Sequence, residues 1–212
     1  MLLETAYFPP VEYFALLARD FVPGAPAGDT IIYIEACEHY QKQSWRNRCL
    51  ILGPNGTEML QVPVVHGADR LISAVRVDYS TPWILRTQRA LDTAYCSAPF
   101  YEYYRDELFA VLDSGEETLL GLNLALTRHI LKRLGMDVEL LLTEAFAAPG
   151  SAPDDWRGVI HPKQPNTLLS DLGLARPYYQ VFAGKFGHFT PGISILDLLF
   201  NEGPDSLLYL KR

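Results

Sequence analysis

Glu35 and Glu38 close an apolar run from Ile31 to Cys37, and the polar stretch that follows carries Tyr40, Lys42, Trp45, Arg46, Asn47 and Arg48. A carboxylate at the end of a buried run can act as general base on an amine or hydroxyl, because partial burial raises its pKa. Two guanidinium forks on one face match the oxygens of a phosphate or carboxylate. Tyr40 and Lys42 suit sugar stacking and phosphate contact in the same turn. The structural alternatives stand beside these roles. Glu35 can bridge to Lys42, Arg46 or Arg48, the arginines can guard an edge strand, and Asn47 can brace the turn. Further on, IHPK places His161 and Lys163 in a long loop, where histidine suits proton transfer near neutral pH and lysine suits developing negative charge.

Other candidates carry less. Arg86 and Arg89 sit three apart near Trp83 and face either the same anion or solvent. Tyr95, Tyr101, Tyr103 and Tyr104 read as core and rim packing. Asp197 in an apolar helical stretch is expected to bond a helix N-terminus or an arginine. His39, His66, His129 and His188 have no ligand spacing, so a metal site is not expected, and no cofactor motif is present. Cys37 or Cys49 could serve as a nucleophile, but neither has a histidine at a telling position. Cys37, Cys49 and Cys96 form no paired metal spacing and no complete disulfide set, which is the cysteine usage of a reduced compartment.

With 49% hydrophobic and 20% charged residues over 212 positions, the composition is that of a folded chain forming one domain over 1–212. A net charge of −7 disfavours nucleic acid and anionic membrane as general partners. No apolar stretch approaches the roughly 20 residues of a membrane span, and MLLETAYFPP lacks the regions of a signal peptide, so a cytoplasmic protein is expected.

The elements that would hold these residues follow from pattern. Leu2 to Phe8 predicts a strand stopped by Pro9-Pro10, and Val11 to Arg19 a helix with Val11, Phe14, Ala15 and Ala18 on one face. Ile31 to Cys37 predicts a strand buried on both sides, which completes a βαβ unit. Trp45 to Leu52 and Glu58 to Val65 predict a hairpin around Asn55-Gly56, and strict alternation would put Arg46 and Arg48 on one face. Leu71 to Val77 reads as another strand. A helical region covers about 82–134, in segments 82–95, 100–112 and 117–134, and Val138 to Thr143 reads as a strand. Ala147 to Pro165 is a long loop, of a length that is often functional. Tyr178 to Ala183 predicts a strand, and Ser194 to Phe200 a short helix capped by Ser194. The fold class is therefore α/β, a mostly parallel, Rossmann-like sheet with helices on its faces and an antiparallel hairpin.

The blocks YQKQSWRNRCLI, LQVPVV, AYCSAPFYEYY, IHPK and YQVF..KFGHFTPGISILDLLFNEGP resemble the WbqC-like family, and the matches spread over nearly the whole chain. The resemblance implies a setting in surface-polysaccharide and lipopolysaccharide biosynthesis more than a mechanism. One departure stands out: the opening reads YFPPVEY, with Glu12 where relatives hold a glycine, which puts close backbone approach of a ligand in doubt. The strand, proline turn, helix and acidic strand also resemble the first unit of adenylyltransferase-like domains. Their histidine pair is missing, so the likeness extends to architecture and not to nucleotidyl transfer.

Two functions follow as expectations. The first is an enzyme transferring an acyl or aminoacyl group to an amino group of a nucleotide-linked sugar, with Arg46 and Arg48 on a phosphate, Glu35 as base, and His161 or Lys163 stabilising charge. The second is a non-catalytic ligand-binding or scaffold protein of the same pathway, a reading that the missing nucleophile motif favours.

Overall fold

The computed structural model describes residues 1–26, 28–65, 67 and 70–211, so His66 lies outside the described residues. In chain order the elements are β1 (Leu2–Glu4), α1 (Val11–Arg19), β2 (Ile31–Glu35), β3 (Arg48–Gly53) and β4 (Gly56–Gln61). Three longer helices follow, α2 (Trp83–Tyr95), α3 (Tyr101–Leu112) and α4 (Leu119–Arg133), and then β5 (Glu139–Leu142). The chain finishes in short helices: α5 (Leu168–Asp171), α6 (Ala183–Phe186), α7 (Ile195–Glu202) and α8 (Ser206–Leu210).

Two sheets result. β1, β2 and β5 form a parallel sheet with β2 in the centre, and β3 and β4 form an antiparallel hairpin. The βαβ unit predicted from the opening residues is present, with α1 as its crossover. Every residue of α1 from Val11 to Ala18 is buried, and it packs against α5, α7 and α8. Tyr13 ties the helix back to β1 by donating its hydroxyl to the Glu4 carbonyl at 2.8 Å. The late loop adds a lane beside β1. Leu2 bridges in parallel to Asp155, Leu2 N–H donates to Asp154 O, and Trp156 N–H donates to Leu2 O, both at 2.9 Å.

Local signals explain the ends. The Thr118 hydroxyl accepts from Gly121 N–H at 3.1 Å to start α4. Gly135, at φ 69°, stops it where the sequence suggested. Ser194 caps α7 by accepting from Leu196 N–H at 3.3 Å. The hairpin turns on Pro54 and Asn55, with Gly53 paired to Gly56, one residue earlier than an Asn55-Gly56 turn.

Four expectations need correction. β2 is not buried on both sides: Ile32 and Ile34 are buried while Ile31 and Tyr33 are 41% and 44% exposed. With Leu142 also exposed, this short sheet presents an open face where a doubly covered one was expected. Tyr178 to Ala183 forms no strand and runs into α6, because β-propensity alone does not supply a partner edge. Leu71 to Val77 becomes a 3-10 turn over Ile72–Ala74, with isolated bridges from Leu71 to His39 and Val77 to Val64. Finally, the strand expected from Trp45 begins only at Arg48, so Trp45, Arg46 and Asn47 lie in the preceding turn.

Candidate functional site

The three parallel strands deliver their carboxyl ends to one cavity of about 610 Å³. Glu4, Cys37 and Glu38, and Phe146 line it from β1, β2 and β5 respectively, as expected for the ligand edge of an open parallel sheet. Asp155, Arg157 and His161 of the long loop form the opposite wall, and Trp45 and Arg46 close one side.

Glu4 and Glu35 are direct partners in the β1–β2 register, yet their surroundings differ sharply. Glu35 is wholly buried. Its Oε1 accepts from Cys37 N–H at 2.9 Å and the Thr143 hydroxyl at 2.7 Å; its Oε2 accepts from Ala147 N–H at 3.1 Å and Arg157 Nη1 at 2.7 Å. Both oxygens are therefore occupied by protein donors. Glu4 is also buried, but its Oε2 accepts from Gly158 N–H at 2.9 Å, and it joins no salt bridge among the described residues. Burial pushes the Glu4 carboxyl above the ordinary glutamate range, with the Arg46 charge pulling it partly back.

Arg157 links the sheet to the loop. It donates Nε and Nη2 to Asp155 at 2.8 and 2.6 Å while Nη1 holds Glu35. These bonds engage one hydrogen on each guanidinium nitrogen and leave two N–H groups for a ligand. The pairing with Arg157 holds the Asp155 carboxyl below its usual range.

Arg46 is buried and makes a two-pronged pair with buried Glu38, Nε to Oε1 at 2.7 Å and Nη2 to Oε2 at 2.6 Å. Asn123 of α4 donates to the Arg46 carbonyl at 2.8 Å, which removes that carbonyl from any ladder and explains why β3 starts late. Arg48 lies on the strand and donates to Gln61 Oε1 at 3.1 Å across the hairpin. The common arginine face predicted from alternation does not form. Asn47 braces the turn by donating to Val62 O at 2.9 Å.

His161 borders both this cavity and an adjoining cleft, and its Nδ1 accepts from Lys163 N–H at 3.2 Å. Lys163 is exposed and donates to Gln43 Oε1. Tyr40 and Lys42 line a separate cleft with Arg70. The Tyr40 hydroxyl is pushed up by burial and pulled back by Arg48 and Arg46, so this cleft lies within electrostatic reach of the arginines. The structure thus gathers Arg46 and His161 at the cavity, with Glu35 behind its wall. Tyr40 and Lys42 stand at a neighbouring cleft, and Arg48 is engaged on the hairpin.

Sequence reading passed over Glu4, Asp155 and Arg157. Glu4 escapes sequence reasoning because the first strand, expected to run from Leu2 to Phe8, stops at Glu4, as the second stops at Glu35. Asp155 and Arg157 lie in the same long loop, five and three residues before the IHPK block. Cys37 lines the cavity, with Sγ 3.6 Å from Thr143 O, whereas Cys49 is wholly buried and its thiol is pushed well up, which removes it as a nucleophile. Asp197 bonds neither a helix end nor an arginine: Gln180 Nε2 donates to it at 2.9 Å. Arg86 lines a different cleft, beside Trp83 and Glu58. Among the described residues no group of three His, Cys, Asp or Glu side chains is placed to hold a metal ion, and no helix is long and apolar enough to cross a membrane.

Comparison with known proteins adds two findings. The WbqC-like protein family matches residues 5–180. "Uncharacterized protein Rv1507c" of Mycobacterium tuberculosis is 28% identical over 240 aligned positions, covering 100% of this chain and 98% of that protein. No solved structure matches the chain.

Proposed function

This chain belongs to the WbqC-like protein family, and for it we propose transfer of an acyl or aminoacyl group to the amino group of a nucleotide-linked sugar in surface-polysaccharide biosynthesis. One observation carries the reading: Glu4 is a buried carboxylate without an ion-pair partner among the described residues, at the carboxyl edge of a parallel sheet, in a cavity whose two arginines are already paired with acids. Such a cavity attracts a cation and repels a free anion. Glu4, Glu38 and Asp155 with Glu35 behind them outnumber Arg46 and Arg157, so an ammonium group fits better than a phosphate. Trp45 and Phe146 offer the apolar faces that sugar rings use.

Glu4 takes the base role first assigned to Glu35, whose oxygens are occupied. It accepts a proton from the acceptor ammonium, and the freed lone pair attacks the carbonyl carbon of the acyl donor. The two unengaged Arg157 N–H groups stabilise the resulting oxyanion. The bond between that carbon and the leaving group then breaks, and His161 passes the second nitrogen proton to the departing atom. An amide and the protonated leaving group remain, with one proton released from Glu4. Glu35 and Asp155 are positioning residues that aim Arg157. The phosphates of the nucleotide carrier fit the cleft of Tyr40, Lys42 and Arg70, with the Arg48 charge within reach of Tyr40.

The test compares amino-sugar nucleotides with their N-acetylated counterparts by thermal shift and calorimetry. The free amine is expected to bind at least tenfold tighter, and equal binding would sink the proposal. With turnover in hand, Glu4→Gln is expected to abolish product formation and to remove the preference for the free amine over its N-acetylated counterpart. In the native protein the rate should fall as pH drops through a pKa above the ordinary glutamate value of about 4.3. Binding of the amine without turnover in any donor panel would favour the non-catalytic reading.

A further inference from the structure

A second cavity, of about 350 Å³, lies at the start of α1, beside Val11 and Glu12. Much of its wall is aromatic and apolar: Tyr178 packs edge-on against Phe189 at 4.9 Å and against Tyr209 at 6.0 Å, with Leu169 and Leu174 beside them. Asn166, Thr167 and Ser170 also line it, as does Arg176, whose guanidinium lies over the Tyr209 ring at 4.7 Å and donates to Leu208 O. Glu12 is the acid of this lining. Glu12 is 6% exposed, and its Oε2 is fully buried with no hydrogen-bond partner among the described residues. Gly192 lines the cavity beside it, where an added Cβ would lie 3.9 Å from Glu12 Oε1. A buried carboxylate oxygen without a donor is destabilising, and native folds rarely retain one without a partner from outside.

We propose that this cavity binds an apolar or aromatic primary amine, with the ligand's ammonium on Glu12 and its hydrocarbon body against Tyr178 and Phe189. The ammonium pairs with the Glu12 carboxylate from the side that lines the cavity, and the rings supply a face for the adjacent carbons. The cavity also connects towards the first. Glu12, Asn166 and Gly192 line an intervening cleft as well, and that cleft shares Trp45, Ile160 and His161 with the Glu4 cavity. The amine site is therefore the place for the amino-bearing end of an aminoacyl donor, an assignment that rests on the acyl-transfer reading; the binding itself does not.

Phenethylamine and its neutral counterpart 2-phenylethanol are the probes, titrated into the full-length protein by calorimetry and NMR. Phenethylamine is expected to bind saturably, at least tenfold tighter than the alcohol, with ring-to-ring NOEs to Tyr178 and Phe189. Glu12→Gln should lower the amine's affinity at least tenfold and leave the Tm of the empty protein unchanged or higher, since it removes a buried charge. A merely structural Glu12 would instead lower the Tm. Glu4→Gln should leave phenethylamine binding intact. Equal affinity for the alcohol, unchanged affinity in Glu12→Gln, or loss in Glu4→Gln overturns the site. NOEs to Tyr178 and Phe189 decide the matter if Glu12→Gln does not fold. Loss of the sugar-amine binding described above, with phenethylamine binding retained, would remove the transfer reading and leave this site standing.

Discussion

Glu38 and Arg46 form a pair that is buried on both sides, and its two parallel bonds are why a guanidinium can stay in the turn at all. Replacing Glu38 by alanine leaves that charge buried and unmatched. The expected loss is about 3–5 kcal/mol in urea denaturation, more than for an exposed pair such as Arg105–Asp106. Asp197 behaves oppositely. Burial pushes its carboxyl up to about 6 against Gln180's opposing bond, so the native state holds a proton that the unfolded chain has already lost. Its stabilisation is complete below the unfolded value and disappears as pH rises through about 6. Asp197→Asn stays neutral throughout. Its stability relative to the native chain should improve by about 2–3 kcal/mol between pH 4 and pH 7.5, measured by urea melts at each pH. Charged residue types were visible in the sequence, but pairing was not. Arg46 looked like an anion ligand because nothing in the alternation of residues 45–52 reveals that Glu38 folds back onto it.

At the scale of elements, helices with one apolar face and clear stops were legible: α1 and α4 end within a residue or two of their predicted limits. The failures share a cause. Tyr178–Ala183 and Leu71–Val77 have strand-like composition, but a strand exists only where a neighbouring edge accepts it, and no local pattern encodes that edge. Gly203 illustrates a junction set by close packing. It ends α7 at φ 55°, and a Cβ there would stand 2.5 Å from the Phe100 ring, whose backbone N–H is held by Phe200 O at 2.9 Å. The ring cannot swing away freely. Gly203→Ala is expected to lose about 2–4 kcal/mol, read as a lower urea midpoint with the slope unchanged.

For the whole molecule, the decisive joint is between the parallel sheet and residues 147–165. Glu35 receives the loop through Ala147 and Arg157, and Glu4 receives it through Gly158. Glu35→Gln exchanges an acceptor for a donor and weakens the link to Arg157, which keeps its pair with Asp155. About 1–3 kcal/mol of stability should be lost, concentrated in the loop. Hydrogen exchange is expected to quicken across 147–165 while α4 keeps its protection; uniform acceleration would show that Glu35 supports the fold at large. Both partners, an acidic strand and a long loop, were visible in the sequence, but the distance between them along the chain hid their meeting.

That separation has a bearing on synthesis. Gly158 lies 154 positions after Glu4, and Arg157 lies 122 after Glu35. A nascent chain emerging from the ribosome can lay down its first crossover long before the segment that covers these acids has been translated. Until then two carboxylates sit side by side in register, repelling each other and open to water. The finished protein differs from its precursor by a late closing strap, so copies that stop short of residue 157 would lack the wall that covers these acids.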